Sequence, residues 1–235
     1  MAGIKGILFD KDGTLIDFDR TWFEVADLMA LKAANGSRSR ADHLLVEAGY
    51  DFGVRRFKAD SIFAAGTNAE VIALWYPDQS PGERQATLED YNRFVSENGS
   101  ARPHGLPGVK DAVAMLHRQG YRMGVATNDS TQGAERTLAA LGMSQLFDAA
   151  YGYDAVANPK PAPDTVRVFC DLTGYRPSEV AMVGDNRHDM QMARAAGAGM
   201  AIGVLSGNGT RETLSPLADV LIQSVADLPA LLSRE

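Results

Sequence analysis

Three times in this chain a short apolar run stops abruptly at a polar turn. IKGILF runs into Asp10, YRMGVA into Thr127 and EVAMVG into Asp185. Runs that are apolar throughout, rather than alternating, suit strands buried on both faces, as in a parallel sheet covered by helices. Such sheets bind ligands outside the carboxyl ends of their strands, near the point where strand order reverses. The polar residues that end these runs therefore stand where that architecture would use them.

The rhythm between the runs agrees. Helical patterns at 108–119, 130–141, 163–173 and 188–196 alternate with strand patterns at 121–126, 149–152, 179–184 and 199–204. Each of those helices stops at a glycine: Gly120, Gly142, Gly174 and Gly197. A last strand, VLI, and a short helix close the chain. This alternation predicts an α/β fold built on a doubly wound parallel sheet. Residues 17–100 break the rhythm. Trp22, Phe23, Ala26, Met29, Ala30 and Ala33 recur at helical spacing over 20–35, with Gly36 as the expected cap. Helical patterns follow near 40–48, 68–76 and 83–97, with no strand-like run between 17 and 100. The chain reads as an α/β core of residues 1–16 and 101–235, with an α-helical cap domain, 17–100, inserted after the first strand. Residues 16–21 and 98–104 are the expected hinges.

Composition bounds the function. At 235 residues and 45% apolar, the chain can bury a large core carrying an insert. A net charge of −7 gives no support for nucleic-acid or anionic-membrane binding. No apolar run approaches the ~18 residues of a membrane span, and the N-terminus lacks a signal-peptide layout. The single cysteine, Cys170, excludes an internal disulfide and reads as a buried small apolar residue in a reducing compartment. A soluble cytoplasmic protein is expected.

Asp10, Asp12, Asp185 and Asp189 would converge at the strand ends. Without a cation, at least one would be forced to take a proton. Hard oxygen donors with no His or Cys cluster favour Mg²⁺ over zinc. Mg²⁺ typically takes one or two carboxylates and leaves positions for water and phosphate oxygen. Thr127 and Asn128 offer side-chain donors, and Lys160, in NPKPAPD, offers a compact cation for carboxylate and phosphate. Phosphoryl transfer requires positioning and charge neutralisation above all. Asp10 can act as nucleophile through an aspartyl-phosphate. Asp12, one residue further along the turn, can protonate the leaving group and then activate water.

Four stretches in order, FDKDGTLID, VATND, PKPAPD and VGDNRHD, resemble the motifs of the haloacid dehalogenase superfamily of Mg²⁺-dependent phosphohydrolases. The resemblance spans the chain, and the insert sits where the phosphoglycolate phosphatase-like branch carries its helical cap. It implies that Asp10 is the nucleophile and a metal ligand. Asp12 is the acid/base, with its backbone carbonyl on the metal. Thr127, Asn128 and Lys160 bind the transferring phosphoryl group, and Asp185 ligates Mg²⁺ directly. Asp189 orients Lys160 or a metal-bound water. The substrate implied is a small phosphorylated metabolite, phosphoglycolate-like.

Simpler readings stand beside these. Asp-Gly pairs mark turns, and Asp129 or Ser130 can cap the helix after TND. His188 reads as an exposed residue at a helix start, and SGNG (206–209) as a flexible loop at the site rim. Arg55, Arg56 and Lys58 form a basic run that could grip a substrate carboxylate, or simply face solvent. Thr67 and Asn68 can face the cleft. Phe18 would narrow the pocket, while Trp22 and Phe23 read as core. A β-phosphoglucomutase-type phosphomutase and a non-catalytic phosphometabolite-binding protein are the alternative functions.

Overall fold

The computed structural model describes residues 3–58 and 61–233. Strand β1 (Gly6–Phe9) is followed by α1 (Phe18–Ala33) and α2 (Arg38–Glu47), then a hairpin of β2 (Tyr50–Asp51) and β3 (Arg56–Phe57). Helices α3 (Ile62–Ala65), α4 (Asn68–Trp75) and α5 (Pro81–Val95) complete this segment. Next come α6 (Val109–Arg118), β4 (Arg122–Ala126), α7 (Thr131–Ala140), β5 (Ala149–Tyr151) and α8 (Asp164–Thr173). The chain ends with β6 (Val180–Gly184), α9 (Arg187–Ala196), β7 (Met200–Val204), α10 (Arg211–Leu214), β8 (Val220–Ile222) and α11 (Leu228–Leu232).

Six strands form one parallel sheet in the order β5-β4-β1-β6-β7-β8. The chain winds outward from β1 through β4 to β5, then returns to the other side of β1 for β6, so strand order reverses beside β1. Phe9 lies level with Val125 and Val183. The residues that follow these three strands therefore emerge side by side at one sheet edge.

Strand residues alternate between two cores. Ile7, Phe9, Val125 and Val183 pack with α6 and α7 on one face. Leu8, Met182, Phe169 and Met190 pack on the other. This is the α/β architecture the sequence predicts. A third hydrophobic cluster is built entirely from residues 18–95, with Trp22, Met29, Leu45, Ile72, Trp75 and Tyr91 among its members.

One expectation for this segment fails. The hairpin at 50–57 lies where no strand is predicted. Each of its strands is two residues long, too short for a period-2 pattern to register. What holds it is aromatic packing: Tyr50 stacks on Phe23 at 4.6 Å, and Phe57 on Phe63 at 4.5 Å. Among the described residues, no helix is long and apolar enough to cross a membrane.

The turn into β6, the strand that leads to Asp185, is clamped by Glu179. Its carboxylate accepts from Lys5 Nζ at 2.8 Å, Arg176 N at 2.9 Å and Arg176 Nε at 3.2 Å. The Lys5 and Arg176 hydrogen bonds hold its pKa down at about 2. A folded-state pKa below the unfolded one means stability that is complete above the unfolded value and lost as pH falls toward 2. The Glu179→Gln variant should therefore show a lower urea midpoint than the parent at pH 6, and the gap should narrow as pH falls toward 2 and close below it, where both side chains are neutral.

Candidate active site

The site is assembled at the carboxyl edge of the sheet. The backbone N–H of Asp10 donates to Val183 O at 2.8 Å, which extends the β1–β6 pairing by one residue and fixes Asp10 beyond the strand. The chain then turns tightly, with Leu15 N donating to Lys11 O and Gly13 N to Ile16 O, both at 2.8 Å. Gly13 has a φ of +77°, and a Cβ there would run into the Asp185 carboxylate and lie 2.8 Å from the Gly207 Cα. Glycine is required on both counts.

Two buried lysines divide the carboxylates between them. Lys160 Nζ donates to Asp10 Oδ1 at 2.6 Å and to Asp189 Oδ1 at 2.7 Å. An ammonium has three donors, so one remains for a ligand. Burial disfavours the Lys160 charge, but Asp10 and Asp189 outweigh it, and its pKa rises. Asp189 is also the last member of a capping box, its Oδ2 accepting from Asn186 N at 3.0 Å. Asp185 accepts from Asn208 N at 2.8 Å.

Carboxylate oxygens of Asp10, Asp185 and Asp189 lie within 4.8 Å of one another, all three buried. Burial first, then the neighbouring carboxylates, raises the Asp185 pKa well above its ordinary range. Burial and Asp189 push Asp10 the same way, opposed by Lys160. Three carboxylates facing one ammonium leave an excess of negative charge out of water, the condition a divalent cation relieves. The donor set, hard oxygen with no sulfur or imidazole in the cluster, suits such an ion.

The second lysine went unnoticed in the sequence. Lys11 is fully buried, and its Nζ lies 2.7 Å from Asp12 Oδ2 and 3.0 Å from Asp129 Oδ2. It sits 4.7 Å from the centroid of the Trp22 ring. Burial again opposes the charge, and Asp12 and Asp129 again prevail, raising the Lys11 pKa. The other Asp12 oxygen, Oδ1, accepts a hydrogen bond from Trp22 Nε1. So Asp12 turns away from the three-carboxylate cluster, held between a lysine of its own turn and an indole on α1. A lysine between two aspartates on a buried turn was the available signal.

The residues expected to face phosphate lie close by. The Thr127 hydroxyl accepts from Asp129 N at 3.1 Å, leaving its own hydrogen to donate. Asn128 differs from expectation. Its amide Nδ2 is spent on Ala65 O at 2.9 Å and Lys160 O at 3.2 Å. It joins α3 to the lysine loop instead of offering a side-chain donor to a ligand. Ser130 caps α7, as expected.

The basic run lies elsewhere. Arg55 and Lys58 are exposed. Arg56 Nε pairs with Asp19 at 2.9 Å, and Nη2 donates to Gly207 O at 3.0 Å and Asn208 Oδ1 at 3.3 Å. It thereby ties β3 to the loop that holds Asp185. That loop, SGNG, is packed tightly at Gly207 and Asn208 rather than loose at a rim. His188 is half-buried, with Nδ1 3.2 Å from Ala65 O. Thr67 belongs to the capping box of α4.

A cavity of about 70 Å³ lies over Asp10, lined from below by Asp12, Thr127, Asp129 and Lys160 and from above by residues of the 18–95 segment, Phe18 and Asn68 among them. The model of the haloacid dehalogenase-like hydrolase family matches residues 4–197. Phosphoglycolate phosphatase of Shigella boydii is 30% identical over 97% of this chain and 92% of its own length. The enzyme of that name from Escherichia coli is 29% identical over the same shares. Among solved structures, a haloacid dehalogenase-like family hydrolase of Streptococcus pneumoniae superposes with a TM-score of 0.74 at 20% identity, over 98% of this chain and 99% of the other. CbbY of Rhodobacter sphaeroides, solved with phosphate, gives 0.68 at 25% identity over 96% of each chain.

Proposed function

We propose, on the premise that this chain belongs to the haloacid dehalogenase-like hydrolase family, that it is a cytoplasmic, Mg²⁺-dependent phosphatase of a small-molecule phosphate monoester. Residues 17–100 are its cap, which closes over the core 1–16 and 101–235. The observation that carries this reading is the buried convergence of Asp10, Asp185 and Asp189 around Lys160 beneath a roofed cavity. Phosphoglycolate, the substrate in the name of the curated relatives, is the first ester to test.

Asp10, Asp185 and the backbone carbonyl of Asp12 would hold the cation, which when bound offsets the charge of the phosphate and of these carboxylates. Thr127 O–H, the Asn128 backbone N–H and the remaining Lys160 donor grip the phosphoryl oxygens. An Asp10 oxygen attacks phosphorus and the ester P–O bond breaks, with Asp12 protonating the departing alkoxide. Asp12 then takes a proton from water as that water attacks the aspartyl-phosphate. Phosphate leaves and Asp10 is regenerated. The cap excludes bulk water while the charges are rearranged.

Phosphate release across a panel of small esters, with and without Mg²⁺, tests the reading. A chelator should reduce release by at least ~10²-fold, added Mg²⁺ should restore it, and Mg²⁺ should raise the melting temperature, because it binds only the folded cluster. Release that is indifferent to chelation would sink the metal assignment.

Trp22 places an indole donor of the cap on Asp12. Trp22→Phe keeps a ring and removes that donor. Single-turnover measurements should show a fall in rate of about ten- to a hundredfold, the cost of a loosely oriented acid/base group, with little change in melting temperature.

A further inference from the structure

The roof of the cavity over Asp10 is formed by Phe18, Trp22, Phe63, Val71, Tyr91 and Val95. Of the described residues that line the cavity, Lys160 alone carries a fixed positive charge, and it is engaged by Asp10 and Asp189. Lys11 is engaged by Asp12 and Asp129. The polar groups of the upper part are neutral. Asn68 Nδ2 donates to Asn92 Oδ1 at 2.8 Å, and burial keeps the Tyr91 phenol protonated. The Ala65 carbonyl facing His188 Nδ1 can only accept, so Nδ1 carries the hydrogen. The three basic residues at 55, 56 and 58 do not line the cavity, and the Arg56 guanidinium is spent on Asp19 and the 207–208 loop.

We propose that the substrate carries an uncharged, apolar tail, seated against Phe18, Phe63 and Val71, and that the roof selects against a second anionic group. This rests on the phosphatase reading above. A tail carboxylate beneath this roof would lose water and meet no arginine and no lysine other than Lys160, already paired with Asp10 and Asp189, which is costly. An apolar tail gains by leaving water against aromatic and branched side chains. The substrate then differs in class from the one named for the curated relatives.

Steady-state hydrolysis of ethyl phosphate, benzyl phosphate, 2-phosphoglycolate and phosphocholine by the full chain with Mg²⁺ tests this directly. All four release alkoxide leaving groups, so differences report the tail. Benzyl phosphate should exceed ethyl phosphate in kcat/KM by about tenfold and 2-phosphoglycolate by about a hundredfold, the range in which pocket contacts discriminate. Equal or better turnover of 2-phosphoglycolate would overturn the proposal. Preference for phosphocholine would overturn it too, by making charge the recognised feature. Phe63→Ala should lower kcat/KM for benzyl phosphate at least fivefold more than for ethyl phosphate, and an equal loss on both would remove Phe63 from tail recognition. Calorimetric binding of benzylphosphonate against phosphonoacetate reads the same preference without turnover, with benzylphosphonate expected to bind at least tenfold tighter. If no ester is hydrolysed while that order of binding holds, the phosphatase reading falls and the tail assignment stands.

Discussion

Asp10→Asn should leave a folded protein that releases phosphate at least about four orders of magnitude more slowly, the scale on which removing an attacking group acts. The more informative half of the experiment is stability. Asp10 is one of three buried carboxylates around a single ammonium, and its pKa is raised by burial and by Asp189. Asparagine keeps an oxygen for Lys160 and removes one negative charge. In chelator, the variant should melt at the same temperature as the parent or higher, while gaining less from Mg²⁺. A catalytic loss with a neutral or positive change in stability is the mark of a site whose charges are held in tension for function. A sharply lower melting temperature would mean that the cluster is a structural ion-pair network instead.

Lys11→Met should have the opposite character. The methionine fills similar space, but Asp12 and Asp129, both partly buried, are left without their shared cation. Breaking one side of a buried pair typically costs about 3–5 kcal/mol, so the urea midpoint should fall steeply. Activity should fall with it, because Asp12 loses the partner of Oδ2. Adding Asp129→Leu removes the second stranded carboxylate and should recover part of the stability without restoring turnover. A double-mutant cycle measures that coupling. Additive losses would mean that Lys11 and Asp129 do not act as a pair.

The sheet and most helix positions could be read from the sequence because both signals are local. Strands buried on two faces must be apolar throughout, and each flanking helix is closed by its own glycine. The nucleophile candidate, Asp185 and Thr127 were legible for the same reason: topology delivers strand ends to one edge. What stayed hidden depends on side-chain direction across the interface between segments. Nothing in DKD says that the lysine turns inward to join Asp129, more than a hundred residues away in sequence. Trp22 was read as core from its spacing, and it is buried, but its indole nitrogen reaches Asp12. Arg56 reads as either a substrate grip or a solvent-facing residue because a two-residue strand leaves no pattern, so its pairing with Asp19 and residues 207–208 could not be foreseen. The Asn128 amide is likewise claimed by backbone carbonyls that only the fold brings near.

The hydrogen bond between Trp22 and Asp12 has an optical consequence. The chain contains two tryptophans. Trp75 is buried within the cluster of residues 18–95, its indole nitrogen on Leu44 O at 3.1 Å. Trp22 spans the boundary between that segment and the sheet edge, with a lysine ammonium over its ring. In the proposed opening of the cap, Trp75 keeps its surroundings and Trp22 exchanges a carboxylate and a cation for water. On that proposal the protein carries its own emission reporter of opening with a built-in constant reference, and stopped-flow fluorescence of the unlabelled chain would time the proposed cap motion against phosphate release.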